Sequence, residues 1–408
     1  MPPLPKPRIA VVSPFLDKQH GTERCVAEQV ERLARDYEIH VYSNRVEDLD
    51  LSRIVWHRVP RLPGPHLFAY CWWFLANHLW RWWDRRLGGV RFDLTYTPGI
   101  NCFDADIISV HIVFAEFYRK VRNSLKFNSN PMRSWPLLLH RRVYYRLAMV
   151  VERWVYGGKR ALLTVVSAKV ARDLERYGGT ESRVTVIVHG IDVQRFNADA
   201  RRKLRALARR ALGLPDGAFC LLLVGNDWKN KGLPCVLEAL GRLASASVRL
   251  LVVGHDTVDP YRSTLARLHL EDRVVFLPLR PDVELYYAAA DLYVGPSLED
   301  AFGMPPLEAM ACGVPSIVSS QAGVSEVVTE GVDGFVLADP HDSGRLAELI
   351  DLLCSNEALR QKIGEAAAKT AQQYTWDKNA AQLGRLFQEV LRRKGHDLMA
   401  VPAGQSAR

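Results

Sequence analysis

Two carboxylates are the side chains whose spacing first suggests chemistry. In DAFGMPPLEAMACGVP (300–315), seven residues separate Asp300 from Glu308, among them Phe302, Gly303 and the pair Pro305–Pro306. Proline is tolerated in a first helical turn, whose N–H groups lack intrahelical partners. The pattern predicts a strand ending at Gly295–Ser297, a loop carrying Glu299 and Asp300, and a helix LEAMACG behind the prolines. Unpaired N–H groups of Leu307, Glu308 and the preceding loop (Ala301, Phe302) would suit an anion such as phosphate. Gly303 would let the backbone approach a ligand with no Cβ in the way. Glu308 can accept hydrogen bonds from two vicinal hydroxyls, as on a ribose, and Asp300 can do so for a second ring. Elsewhere Lys231 stands in VGNDWKNKGL with Asn226, His111 lies at the end of a strand in SVHIVFAEFYR, and Gly21 lies in the loop before ERCVAEQVERLA. Taken singly, Lys231 reads as a surface lysine, His111 as a core histidine and Gly21 as a turn residue.

Both halves of the chain have the elements to position these residues. RIAVVSPF, EIHVYSNR, RFDLTYTP, DADIISVH, RALLTVVSAK and SRVTVIVHG read as strands alternating with helices. After IDVQRF the pattern restarts with a basic helix at 201–213 and the apolar strand GAFCLLLVGN. VRLLVVG, RVVFLPL, DLYVGPS, PSIVSS and DGFVLAD follow. Such alternation predicts parallel, doubly wound α/β sheets, and a fold of this kind binds phosphate at the C-terminal edge of its strands. The expected architecture is two Rossmann-like domains, 1–192 and 193–373, facing each other across a cleft. A helix at 374–395 would close the fold by returning to the first domain, and 396–408 would be a flexible tail.

Composition narrows the class. With 408 residues, 48% of them apolar and 24% charged, the chain can bury a large core and is neither disordered nor fibrous. Its seven cysteines include no CxxC pair, so neither a disulfide framework nor a zinc site is expected, and a reducing cytoplasm fits best. The proline-rich opening MPPLPKPR does not resemble a secretion signal.

Charge is uneven. Residues 1–190 hold 29 Lys/Arg against 18 Asp/Glu, and the remainder holds 25 against 27. Within 119–160 there are 11 basic residues and one acid, Glu152. That run reads either as a solvated helix face or as the footprint of an anionic partner: phospholipid headgroups, a pyrophosphate-linked acceptor or nucleic acid. No nucleic-acid motif accompanies it, so nucleic acid is not expected. Residues 66–86 hold five of the ten tryptophans, and Phe68, Trp72, Leu75, Leu79 and Trp82 fall at helical spacing. Asn77, His78 and Arg81 interrupt the run, so it does not span a membrane. It would either cover the N-terminal sheet with this stripe buried or lie in a lipid interface.

The 300–315 block resembles the signature of family 4 of the glycosyltransferases, retaining nucleotide-sugar enzymes of the GT-B fold, whose usual pattern is Glu, seven residues, Glu. Asp300 takes the first position and Glu308 the second, with Glu299 one residue out of register. The resemblance covers nearly the whole chain. SPFLDKQHGTERCVAEQVERLA is similar to the family's first strand–turn–helix, with His20–Gly21 where two glycines are frequent. His111 matches the histidine that reaches the transferred sugar, and Lys231 the lysine of the glycine–arginine–lysine element, where Asn226 replaces the usual arginine. VIVHGIDVQRF resembles the interdomain hinge.

The resemblance implies a hexosyltransferase that takes its sugar from a nucleotide diphosphate and gives it to a glycan or lipid-linked acceptor held by the N-terminal domain. It implies a catalytic set of His111, Lys231 and Asp300. The donor contacts would be Gly21, Asn226, Lys231, Asp300, Ala301, Phe302, Gly303, Leu307 and Glu308. No Asp-x-Asp motif stands at a strand end, so neither a metal nor any other cofactor is expected, only the nucleotide-sugar co-substrate. A cytoplasmic enzyme peripheral to an anionic membrane surface is the expectation. The alternatives are a nucleotide-binding module without catalysis and a related GT-B epimerase or phosphorylase.

Overall fold

A computed structural model describes residues 6–18, 21–121, 135–158, 160–178 and 181–395. The chain divides into two compact units, Met1–Val188 with Trp376–Arg408, and His189–Thr375. The expected tail at 396–408 lies outside the described residues, as do His20 and, from the basic run, Arg122, Lys126, Arg133 and Lys159.

The N-terminal unit contains strands β1 (Arg8–Val12), β2 (Phe15–Leu16), β3 (Glu38–Ser43), β4 (Arg45–Val46), β5 (Ile54–Arg58), β6 (Leu94–Pro98), β7 (Ile107–Val110), β8 (Leu162–Val165) and β9 (Val184–Val186). Seven of them form one parallel sheet in the order β5-β3-β1-β6-β7-β8-β9, while β2 pairs with β4. Its helices are α1 (Gly21–Leu33), α2 (His66–Arg86), α3 (Phe114–Val121), α4 (Trp135–Gly157) and α5 (Ala168–Leu174). Strand β5, IVWHR, goes unread from the sequence. It is an edge strand with only Ile54 buried, so it lacks the continuous apolar run that marks a strand covered on both faces.

The C-terminal unit contains helices α6 (Ala198–Ala211), α7 (Leu233–Arg242), α8 (Arg262–Leu268), α9 (Glu284–Ala289), α10 (Met304–Ala311), α11 (Ser343–Ser355) and α12 (Glu357–Ala371). Its strands are β10 (Phe219–Val224), β11 (Val248–Val253), β12 (Val274–Leu277), β13 (Leu292–Gly295), β14 (Ser316–Ser319) and β15 (Phe335–Leu337). They form a second all-parallel sheet, ordered β12-β11-β10-β13-β14-β15. Every residue of β10, β13 and β14 is buried, as expected for strands sandwiched between helices. Strand order reverses between β10 and β13 here, and between β1 and β6 in the first unit. Each sheet thus has a switch point at the C-terminal ends of two neighbouring strands.

The last helix, α13 (Trp376–Arg393), belongs to the N-terminal unit and packs on α1. Leu383, Phe387 and Leu391 share one core with Val26, Val30 and Leu33. Buried polar groups fix the contact. Tyr96 donates to Gln29 Oε1 at 2.7 Å, Gln29 donates to Asn379 Oδ1 at 2.8 Å, and Asn379 donates to the Val188 carbonyl at 2.8 Å.

Helix α2 covers the residues predicted helical but turns the other way. Its buried side chains are Trp73, Ala76, Asn77 and Arg81, while Phe68, Leu75, Leu79 and Trp82 are exposed. The polar pair can be buried because it is fully engaged. Asn77 Nδ2 donates to the carbonyls of Trp73, Phe74 and Asn101, and Arg81 makes two 2.8 Å bonds to Asp104 and one of 3.1 Å to Asn77 Oδ1. The expectation that the apolar stripe is the buried one is therefore corrected.

Candidate functional site

The switch point of the C-terminal sheet gathers most of the predicted donor residues. Segment 225–232 leaves β10 there, and 296–303 leaves β13, its neighbour. Gly232 joins the two: with φ +83° and a notional Cβ only 2.1 Å from the Pro296 carbonyl oxygen, this position has no room for a side chain. Asn230 fastens the same contact, donating from Nδ2 to the Glu299 carbonyl at 2.8 Å and accepting from the Leu298 N–H at 2.7 Å. Neither residue forms a motif with Asp300, so their hold on its loop is visible only in the fold.

This fastening brings Lys231 to Asp300. Lys231 Nζ lies 2.5 Å from Asp300 Oδ2, with both side chains about one-fifth exposed. The Asp300 loop is laced to its other neighbour as well: Asp300 N–H donates to the Gln321 carbonyl, and the Asp300 and Phe302 carbonyls accept from Gly323 and Val324. Phe302 is buried and stacks on His189, with ring centroids 5.2 Å apart. Ala301 is half-buried. Asn226 is exposed, its Oδ1 accepting the His255 N–H at 2.8 Å.

Helix α10 begins at Met304, three residues ahead of the expected LEAMACG start, because Gly303 at φ +93° turns the chain into it. Pro305 and Pro306 thus fall inside the first turn and carry no N–H. Leu307 and Glu308 come where the intrahelical ladder has begun, so the donors left for a ligand are those of Gly303 and Met304. Leu307 has no exposed surface, and its side chain belongs to the core. Glu308 is buried with Oε2 accepting the Tyr287 hydroxyl at 2.7 Å. Tyr287, on α9, is a site residue that sequence reasoning missed, since its relation to Glu308 exists only in the fold.

Gly21 and His111 belong to the N-terminal unit. Gly21 begins α1, after sheet strand β1 and the short β2 that pairs with β4, and His111 directly follows β7. His111 Nε2 lies 3.0 Å from Ser109 Oγ, and burial pushes its pKa down to about 4, so the ring is neutral at pH 7. Among the described residues, no group of three or more His, Cys, Asp or Glu side chains is arranged to hold a metal ion.

A lysine–carboxylate pair, a second carboxylate braced by a tyrosine, and a glycine-opened helix start can bind a phosphorylated, hydroxyl-rich ligand. Known proteins resemble the chain in both of its halves. Residues 20–195 match the family model "Glycosyltransferase Family 4", and residues 205–370 match "Glycosyl transferases group 1". A D-inositol 3-phosphate glycosyltransferase of Pseudarthrobacter chlorophenolicus is 30% identical over 263 residues, 62% of this chain and 61% of that protein. The chain thus spans about three-fifths of that relative's length. Among solved structures, WaaG, a glycosyltransferase involved in lipopolysaccharide biosynthesis, is similar with TM-score 0.74 and 22% identity over 93% of this chain and 99% of that one. Anabaena HepE, solved with UDP-glucose, gives 0.70 and 20% over 94% and 99%. The fold is of the GT-B class, and with the two family models together taking in most of its length, the chain belongs to glycosyltransferase family 4.

Proposed function

We propose that this protein is a retaining hexosyltransferase that moves a sugar from a nucleoside diphosphate to a glycan or lipid-linked acceptor met at an anionic membrane surface. The observation that carries the reading is the Lys231–Asp300 pair beside Tyr287-braced Glu308 at the switch point of the C-terminal sheet. Glu308 accepts the ribose hydroxyls, and Lys231 with the N–H groups of Gly303 and Met304 faces the diphosphate. As the diphosphate draws Lys231 away, Asp300 is left to accept hydroxyls of the sugar. The C1–phosphate bond breaks, the acceptor oxygen bonds to C1 on the face the phosphate leaves, and the acceptor proton passes to the departing phosphate oxygen. His111, neutral, lies on the acceptor side and offers the transferred sugar a hydrogen bond. Opposition of the diphosphate charge is thus assigned to protein groups.

A thermal-shift panel of nucleotide sugars identifies the donor, since a ligand of the folded state raises its stability. Transfer is then followed with soluble glycans, lipid-linked saccharides and inositol phosphate as acceptors, and the product's anomeric configuration is read by NMR. Retained configuration, and transfer that continues in excess chelator, are expected. Inverted product, or activity restored only by magnesium or manganese, would contradict the mechanism. Binding without transfer or hydrolysis would point to a nucleotide-binding module, and an epimerised or phosphorolysed product to a different GT-B enzyme.

A further inference from the structure

We propose that α2 and α4 form a face that seats on an anionic lipid bilayer, with the groove between them taking a hydrocarbon chain. This gives the membrane contact in the functional reading a definite surface and rests on that reading for its purpose.

The two helices run side by side in one direction: the Leu67 N–H meets His140, and the rings of Tyr70 and Tyr144 are 6.0 Å apart. Along α2 the exposed side chains Phe68, Leu75, Leu79 and Trp82 recur at turns of the helix. Along α4, exposed Leu139, Val143, Val150 and Trp154 do the same. The stripes meet at a groove of about 330 Å³ lined by Cys71, Phe74, Leu75, Phe103, Leu147 and Val151. Its one imidazole, His78, is engaged through Nδ1 with the Phe74 carbonyl at 2.7 Å. An apolar surface this continuous, with polar Asn77 and Arg81 facing inward instead, is the reverse of what water selects for a surface helix.

Charge decides the occupant. Exposed Arg146 and Arg153 flank the apolar stripe of α4, and Arg85 and Arg86 are exposed at the end of α2. The acids of these helices are turned away. Glu152 is buried, accepting from the Phe114 and Ala115 N–H groups and the Tyr177 hydroxyl, and Asp84 accepts from Tyr42 and lies 2.8 Å from His57. The outward charge of the pair is therefore positive, which favours anionic headgroups around tryptophan and leucine side chains that enter the acyl region. A second copy seated symmetrically on the same face would oppose arginine to arginine. Neither helix is long and apolar enough to cross a bilayer, so the pair would lie in its plane.

The test uses the full chain with vesicles of phosphatidylcholine alone or mixed with phosphatidylglycerol. Cys71 is the one cysteine exposed and lies in the groove, while five others are buried and Cys354 is intermediate. In a Cys354→Ser background, maleimide labelling therefore reads the groove. Expected are pelleting with the mixed vesicles that falls in high salt, and slower Cys71 labelling when they are present. A Leu79→Ser/Trp82→Ser/Trp154→Ser variant should bind at least about tenfold more weakly, and Arg146→Glu/Arg153→Glu should lose the preference for the anionic lipid. A Leu139→Ser/Val150→Ser variant gives an independent second reading of the face. Donor affinity, measured alongside, should be unchanged in all of them, which certifies folding. Pelleting that is absent or independent of lipid charge, labelling unaltered by vesicles, or a dimer that protects Cys71 without lipid would overturn the proposal. Loss of glycosyl transfer with vesicle binding intact would instead count against the enzymatic reading.

Discussion

Lys231 and Asp300 neutralise each other across 2.5 Å, so a diphosphate must compete with a carboxylate for the lysine. This makes the two substitutions separable. Lys231→Ala should weaken nucleoside-diphosphate binding by about 1.5–3 kcal/mol, the worth of a charge-assisted hydrogen bond. Asp300→Asn should leave that affinity equal or raised, because the lysine is freed, while transfer falls for want of a hydroxyl acceptor. Calorimetric titration with the nucleoside diphosphate, set beside turnover, checks the split, and parallel losses in both variants would refute it. Tyr287→Phe tests the brace on Glu308. The loss should be about 1 kcal/mol in donor affinity, with the fold intact. His111 carries a pH dependence. Its folded pKa of about 4 lies below the unfolded value of about 6.5, so as pH falls through that window the unfolded chain takes up a proton that the folded one refuses. Stability of order 3 kcal/mol is present above about pH 6.5 and is lost towards pH 4. His111→Gln should narrow the gap between urea midpoints measured at pH 7 and pH 4.5.

Among the elements, α2 is held by Arg81, whose side chain is 2% exposed and whose two bonds to Asp104 tie the helix to the loop between β6 and β7. Asp104 is itself partly exposed, which discounts the pair, yet Arg81→Ala also strands Asn77 and opens a cavity. A loss of about 2–3 kcal/mol is expected in denaturant unfolding. The helix also shows where sequence reading stops. Periodicity reveals that Phe68, Leu75, Leu79 and Trp82 share a face, but not whether that face looks at the sheet. The answer depends on Asn101 and Asp104, distant groups that make Asn77 and Arg81 cheap to bury. Strands β10, β13 and β14 were legible because burial on both faces leaves an unbroken apolar run. The edge strand β5 was not, for the opposite reason. At the candidate site the residue types of 300–308 were legible, whereas the braces from Tyr287, Asn230 and Gly232 were not, because only the parallel pairing of β10 with β13 makes them neighbours.

For the whole molecule, the two cores are separate, and nine of the ten tryptophans fall in the N-terminal unit, with Trp228 alone in the other. Fluorescence therefore reports chiefly on the first unit, while all the proposed donor contacts except Gly21 lie in the second. A nucleotide sugar at a hundred times its dissociation constant should stabilise the C-terminal unit by about 2.7 kcal/mol. That shift should appear in hydrogen exchange of β10 and β13 more strongly than in the fluorescence transition. Equal shifts by both readouts would mean that the units unfold as one.

The return of α13 to α1 has a consequence on the ribosome. The face of α1 that receives Leu383 and Phe387 is made early, but its covering helix follows only after all of His189–Thr375. The 342 residues between Leu33 and Trp376 take roughly 20–70 s at ordinary elongation rates of about 5–20 residues per second. During that wait the later-made unit can finish folding while the earlier one still shows bare Val26, Val30 and Leu33 to holding chaperones. The nascent chain closes in reverse order of its synthesis, and a ribosome stalled just short of Trp376 would release a protein with its second half complete and its first half open.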